Sequence, residues 1–177
     1  MAEIELSGLD VRSLLRLYCA IGQELILRKL TRSTNNPVGD YAEYLFATAL
    51  SLTLAGNSAK GYDAVDADGQ RYQIKGRRPT PANPSRQLSV IRNLDSKPFE
   101  FLAGVVFAPD FAVLRAALIP HNVVLCRSKY REHVNGWLFH LEDHIWMADG
   151  VRDVTIAICA VEAGLSTKAV GKQRQNA

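Results

Sequence analysis

Asp63, Gln73 and Lys75, with Glu43 upstream, bring a carboxylate, an amide, an ammonium and a second carboxylate into one stretch of chain. Oxygen donors of this kind suit Mg²⁺, which takes hard ligands and keeps several waters. A lysine beside them can position or deprotonate an attacking water and screen the charge of a phosphate. That chemistry requires the groups to converge. Gln73 and Lys75 are two apart, so on a strand both side chains leave the same face. The face of Asp63 depends on the turn. A two-residue turn at Asp68-Gly69 pairs Asp63 with Ile74 and points the carboxylate away from Lys75. A three-residue loop, Ala67-Asp68-Gly69, calls for a left-handed glycine in third place, where Gly69 stands. It pairs Val65 with Arg71 and Asp63 with Gln73, and gathers Tyr62, Ala64, Tyr72 and Ile74 on an opposite, apolar face. Polarity and turn chemistry favour the same register. Glu43 reaches in from a helix as a further acid, with Asp40 one turn earlier on the same side of that helix.

The elements that must hold these residues follow from periodicity. Asp10 caps a helix from Val11 to about Leu30, with Val11, Leu14, Leu15, Tyr18, Ile21, Leu25 and Ile26 at helical spacing. Asn35-Asn36-Pro37 breaks it. A second helix runs from about Val38 to Leu52, carrying Leu45, Ala49 and Leu52 on one face. The hairpin of Tyr62–Val65 and Arg71–Lys75 comes next. Phe99 to Phe107 reads as a buried strand, Phe111 to Ile119 as its partner, Val123 to Tyr130 as a short helix and Trp137 to Leu141 as a strand. His121, after Pro120, reads as a turn residue. A last helix spans about Val151 to Ala163 and stops at Gly164. The expectation is an α/β fold, a mixed sheet of four or five strands flanked by helices. Residues 1–167 form one domain with the first helix as an extension, and 168–177 a flexible basic tail.

Composition narrows the class. The chain has 177 residues, 47% of them apolar and 22% charged, which is ordinary for a globular domain. No apolar run approaches the ~18–20 residues of a membrane span, and the acidic start lacks a secretory pattern. Cys19, Cys126 and Cys159 are scattered without a Cys-x-x-Cys spacing, and read as reduced core thiols of a cytoplasmic protein. Phosphate-binding Gly-rich loops and the Gly-x-Ser-x-Gly elbow are absent. His140 and His144 are four apart but lack the context of a zinc pair. Between Gly76 and Pro98 stand Arg77, Arg78, Arg86, Arg92 and Lys97 against Asp95 alone, an excess above the chain's net +3. Pro79, Pro81, Pro84 and Pro98 make this segment a loop that displays its arginines. Where a phosphate backbone passes the site, Arg77, Arg78, Arg86 and Arg92 are candidate DNA contacts.

Glu43 in Gly39-Asp-Tyr-Ala-Glu43, Asp63, and Gln73-Ile-Lys75 together resemble the PD-(D/E)xK phosphodiesterase superfamily, which has the restriction-endonuclease-like fold. More narrowly, Asn36-Pro-Val-Gly-Asp-Tyr-Ala-Glu43, Lys60-Gly-Tyr-Asp-Ala64 and Arg71-Tyr-Gln-Ile-Lys-Gly-Arg-Arg78 look like small bacterial proteins of that superfamily without an assigned activity. The resemblance runs from about Asn35 to Ala160. It implies a four-stranded mixed core sheet flanked by helices and Mg²⁺-dependent hydrolysis of DNA phosphodiesters, with Mn²⁺ as a substitute. Carried over by position, Glu43, Asp63 and Gln73 hold the metal and Lys75 serves the attacking water. Two positions depart from the pattern. Tyr62 stands for the motif's proline, and Gln73 replaces its second acid, which removes a negative charge from the metal shell. The expected function is a metal-dependent DNA endonuclease. The alternatives are a DNA-binding module without turnover and an accessory subunit of a DNA defence or repair system. Cutting both strands of a duplex suggests a homodimer, with the first helix as its contact.

Overall fold

The computed structural model describes residues 5–56 and 61–173. Helix α1, Val11–Leu27, starts where Asp10 Oδ1 accepts a hydrogen bond from the Ser13 amide at 3.0 Å. It stops three residues short of the expected Leu30, as Lys29 turns left-handed. Helix α2, Val38–Leu50, buries Ala42, Leu45 and Phe46 completely.

The main sheet has six strands, one or two more than expected. They are β1 (Thr53–Leu54), β2 (Ala64–Val65), β3 (Arg71–Arg77), β4 (Phe101–Phe107), β5 (Val113–Pro120) and β8 (Arg152–Asp153), in spatial order β1-β2-β3-β4-β5-β8. Both edge strands are two residues long, too short to show a period in sequence. All neighbours are antiparallel except β3 and β4, which pair in parallel from Tyr72↔Phe101 to Arg77↔Val106. A separate hairpin joins β6 (Lys129–Arg131) to β7 (Gly136–Leu138). Helix α3, His121–Arg127, follows β5, and helix α4, Thr155–Gln173, closes the chain.

Each face of the sheet carries its own core. On one, α2 and α4 cover Ala64, Tyr72, Ile74, Val105, Phe107 and Leu118. On the other, the β3–β4 crossover folds Leu88, Ile91 and Leu94 over Leu102, Val106 and Ile119, joined by Phe139, Leu141 and Ile145. The crossover holds only a single turn of 3₁₀ helix, Leu94–Ser96, where a parallel connection ordinarily carries an α-helix. α2 presses directly on β3: a Cβ at Gly76 would lie 2.8 Å from the Val38 carbonyl oxygen and 2.9 Å from Val38 Cγ1. Only glycine admits that approach.

Several expectations need correction. Cys19 and Cys126 are exposed and Cys159 is half-buried, so the thiols do not build the core. α4 runs through Gly164 to Gln173, since a single glycine costs a helix only ~1 kcal/mol. The expected tail is thus helical to Gln173, while 174–177, like Lys60, lie outside the described residues. His121 is buried at the start of α3, where its Nε2–H donates to the Leu94 carbonyl at 2.6 Å and its ring meets Phe99 edge-on. No helix among the described residues is long and apolar enough to cross a membrane.

A charged clasp ties β3 to the chain entering β4. Arg71 donates from its backbone amide and its Nε to Glu100 Oε2 at 2.8 and 3.2 Å, and from a terminal nitrogen to Oε1 at 2.8 Å. The Arg71 side chain, above all, holds the Glu100 carboxyl down at about 2, against an ordinary 4.5. A depressed folded-state value stabilises the protein above pH ~4.5, and the contribution fades as pH falls toward 2. Glu100→Gln is expected to cost about 1–2 kcal/mol at pH 7. Thermal melts of both proteins should converge as pH drops from 5 to 2; a constant gap would show that the charge contributes nothing.

Candidate active site

The hairpin turns at the expected loop. Asp66 N–H donates to the Gln70 carbonyl and Gly69 N–H to the Asp66 carbonyl, both at 3.1 Å, with Gly69 at φ +78°. Asp66 Oδ1 accepts from the amides of Asp68 and Gln70 at 3.0 and 2.9 Å, which fastens the loop from inside. The strands register as Val65↔Arg71 and Ala64↔Tyr72, and Asp63 N–H donates to the Tyr72 carbonyl at 2.7 Å. Ala64, Tyr72 and Ile74 face α2. Alternation therefore sends Asp63, Gln73 and Lys75 to the other side of the sheet. Tyr62 departs from the expected face: regular pairing stops at Ala64, and its ring packs with the crossover core.

The three side chains meet there. Asp63 Oδ2 accepts from the Ile74 amide at 2.6 Å and from Gln73 Nε2. Lys75 makes no hydrogen bond or ion pair among the described residues. Burial pushes its ammonium below the ordinary lysine value, while the charges of Asp63 and Glu43 oppose that fall. Glu43 is pushed up to about 7, first by burial, against the pull of Arg32 and with help from Asp63 and Asp40. The mutual influence of Glu43, Asp63 and Lys75 places α2's acid within electrostatic reach of the hairpin.

Arg32 is the residue the sequence reading missed. Its guanidinium donates to Glu43 Oε2, and its Nε lies 3.7 Å from Asp40 Oδ1. Asp40 Oδ2 also accepts from the amides of Arg32 and Ser33 at 2.7 and 3.2 Å, so this acid anchors the chain entering α2. Arg32, Asp40 and Glu43 line a cleft of about 90 Å³ with Lys29, Thr31 and Tyr44. The Thr31 hydroxyl, buried beside it, has no hydrogen-bond partner among the described residues. Only its place just ahead of Asn35-Asn36-Pro37 could have drawn attention to Arg32.

No family model matches the chain, and no curated protein matches it. What the site can do is therefore argued from its chemistry. Among the described residues no group of three or more Asp, Glu, His or Cys side chains gathers to hold a metal. Asp63 uses one oxygen on its neighbours and Glu43 gives Oε2 to Arg32, which leaves Asp63 Oδ1, the Gln73 amide oxygen and Glu43 Oε1 as hard donors. Burial raises Glu43 to about 7 in spite of its contact with Arg32. The donor set fits Mg²⁺.

The basic loop is more structured than expected, with Thr80 and Asn83 bridging it. Arg77 donates to the Ser85 carbonyl at 2.7 Å and to Asn83 Oδ1 at 2.9 Å. Arg78 donates to the Pro109 carbonyl at 2.7 Å and stacks 4.5 Å over Phe111. Arg86 pairs with Asp143 at 2.8 Å. Arg92 is exposed and, among the described residues, forms no hydrogen bond or ion pair. Arg77 thus braces the loop itself, while Arg78 and Arg86 tie it to the neighbouring segments at Pro109 and Asp143. His140 pairs across to Gln87, while His144 sits on the 3₁₀ turn Asp143–Met147. Tyr41 stacks on Phe107 in the helical core.

Proposed function

We propose that this protein is a Mg²⁺-dependent DNA nuclease of the restriction-endonuclease-like kind, acting in the cytoplasm. The observation that carries the reading is one shared sheet face for Asp63, Gln73 and Lys75, electrostatically joined to Glu43 of α2. The mixed sheet supports it too, with a helix ahead of the hairpin and β3 parallel to β4. Asp63, Glu43 and Gln73 would hold Mg²⁺ or Mn²⁺, which supplies charge neutralisation at the phosphate when bound. Lys75 lies unpaired and desolvated, so its proton is less firmly held than that of a surface lysine. Such a group can orient a water and exchange a proton with it. Arg32 neutralises Glu43 in the absence of metal and has to give up that carboxylate to a cation.

The deciding experiment incubates purified protein with single-stranded, duplex and branched DNA, with EDTA, Mg²⁺ or Mn²⁺. Metal-dependent cutting, lost in the Lys75 variant, supports the nuclease. A second reading, a binding module without turnover, draws on Gln73: its amide donates to Asp63, a bond the usual acid could make only when protonated. Salt-sensitive DNA binding without cutting would select it.

α1 supports the expected dimer. Val11, Leu14, Leu15, Tyr18 and Ile21 form one exposed stripe, and the helix buries no residue. Helices in proteins draw most of their stability from packing an amphipathic face, so the stripe calls for a cover. With Leu6 and Leu9 it exposes on the order of 600 Å² of apolar surface, taking ~150–200 Å² per large side chain; half of a standard interface needs ~800 Å², somewhat over half of it apolar. Light scattering should give about twice the 19.5 kDa chain mass, and Tyr18→Lys should halve it. A monomeric wild type at working concentration removes the dimer.

A further inference from the structure

A group of cations left without counter-charges lies outside the proline-rich loop, on the hairpin β6–β7 and the end of α3. Arg127, Lys129 and Arg131 are exposed, and among the described residues none of them forms an ion pair. The neighbouring acid Glu132 pairs with none of them. By contrast Arg28, Arg32, Arg71, Arg86 and Arg115 are all matched with carboxylates. The three free cations line one cleft of about 200 Å³ together with Gln87, Leu138 and His140, and among the described residues no acid contributes to its wall.

The hairpin's construction explains the arrangement. Tyr130 and Trp137 pair across the ladder and pack edge to face, with ring centres 5.5 Å apart. Lys129 and Arg131 alternate to the opposite face, which Lys129 shares with its partner Leu138. Side chains two apart on a strand stand ~6.7 Å from each other, close to the spacing of successive phosphates along a nucleic-acid strand. The cleft is smaller than the ~300–1,000 Å³ that encloses a small-molecule ligand, and its polar wall is cationic, so it suits a chain of phosphates better than an enclosed metabolite.

Its location agrees with the proposed chemistry. Gln73 and Lys75 pair with Leu102 and Gly104 of β4. Leu141 packs at 2.9 Å from where a Gly104 Cβ would stand. The layer over this face is the crossover and the 137–141 segment, bound to each other by Leu88 N–H to Phe139 O at 2.9 Å and Leu141 N–H to Arg86 O at 3.1 Å. Gln87 and His140 belong to that layer, so the cleft and the Asp63–Lys75 group lie on the same side of the sheet.

We propose that this cleft grips the phosphodiester backbone of DNA and is the protein's main electrostatic contact with it. The identity of the polyanion rests on the nuclease reading; the anion site itself rests on the unpaired cations. The test is fluorescence anisotropy with a labelled duplex in EDTA, where nothing is cut, at several salt concentrations. The double variant Lys129→Ala/Arg131→Ala should bind at least tenfold more weakly. The log–log salt slope should drop by roughly 1.5–2, since each lost phosphate contact removes ~0.9. Arg127→Ala should lower it by a further ~0.9, and Arg77→Ala/Arg78→Ala should change it far less. Lys129→Arg, which keeps the charge, should restore most of the slope, and unchanged melting curves separate lost contact from lost fold. An unchanged slope in the double variant, or a wild type that binds no DNA, overturns the proposal. The two readings fail separately: metal-dependent cutting with an unchanged slope removes the cleft and keeps the nuclease. A slope lost in a protein that never cuts does the reverse.

Discussion

Lys75→Ala is expected to slow DNA cutting by about 10²–10⁴, the range for losing a positioned proton-transfer group, while leaving DNA affinity within a few-fold. The separation follows from the structure. Lys75 sits in the sheet face next to Asp63, whereas the cleft of Arg127, Lys129 and Arg131 lies at the end of α3 and on another hairpin. Its removal should also cost little stability, because the ammonium is desolvated and, among the described residues, forms no ion pair. Lys75→Met, which keeps the aliphatic stem and removes the charge, should be as inactive as alanine and at least as stable as wild type. Equal cutting rates for wild type and Lys75→Met would end the assignment. Loss of melting temperature in step with loss of activity would point to folding.

Asp63→Ala is expected to abolish metal binding and cutting together, and to destabilise the hairpin as well. Asp63 Oδ2 is the acceptor for the Ile74 amide at 2.6 Å, and truncation leaves that donor and the Gln73 amide without it. An orphaned buried donor costs about 1–3 kcal/mol. Asp63→Asn distinguishes the two effects. The asparagine oxygen can still accept from Ile74, so most of the stability should return. The neutral amide binds Mg²⁺ weakly, so metal binding should not return. Calorimetric Mn²⁺ titration beside thermal melts reads both quantities. Metal affinity preserved in Asp63→Asn would remove this residue from the metal shell.

The parts of the site legible in sequence are those set by near neighbours. Gly69 can hold the left-handed third position of a three-residue loop, and from that one residue follow the register Val65↔Arg71 and the shared face of Asp63 and Gln73. Asp10 caps α1 through a bond to a residue three positions on. The burial of Ala64, Tyr72 and Ile74 is strand alternation expressed as packing. Tyr62, just outside the paired segment, marks where that rule stops.

Contacts between distant segments decided the rest. Nothing local predicts that Arg32 closes on Glu43, or that Arg86 finds Asp143 across the crossover. Proline and charge identified 76–98 as a basic loop, but whether its arginines reach solvent or their own backbone depends on Ser85, Asn83 and Pro109 being brought to them. Arg127, Lys129 and Arg131 carry no motif, and only the fold shows that, among the described residues, no acid pairs with them. The edge strands Thr53–Leu54 and Arg152–Asp153 exist only because a longer strand offers them a ladder. Apolar spacing likewise made α1 amphipathic without saying whether its stripe would be covered. Turn geometry, capping and alternation act over a few residues and are written in them. Charge pairing, edge pairing and exposure depend on which surfaces the completed fold brings together.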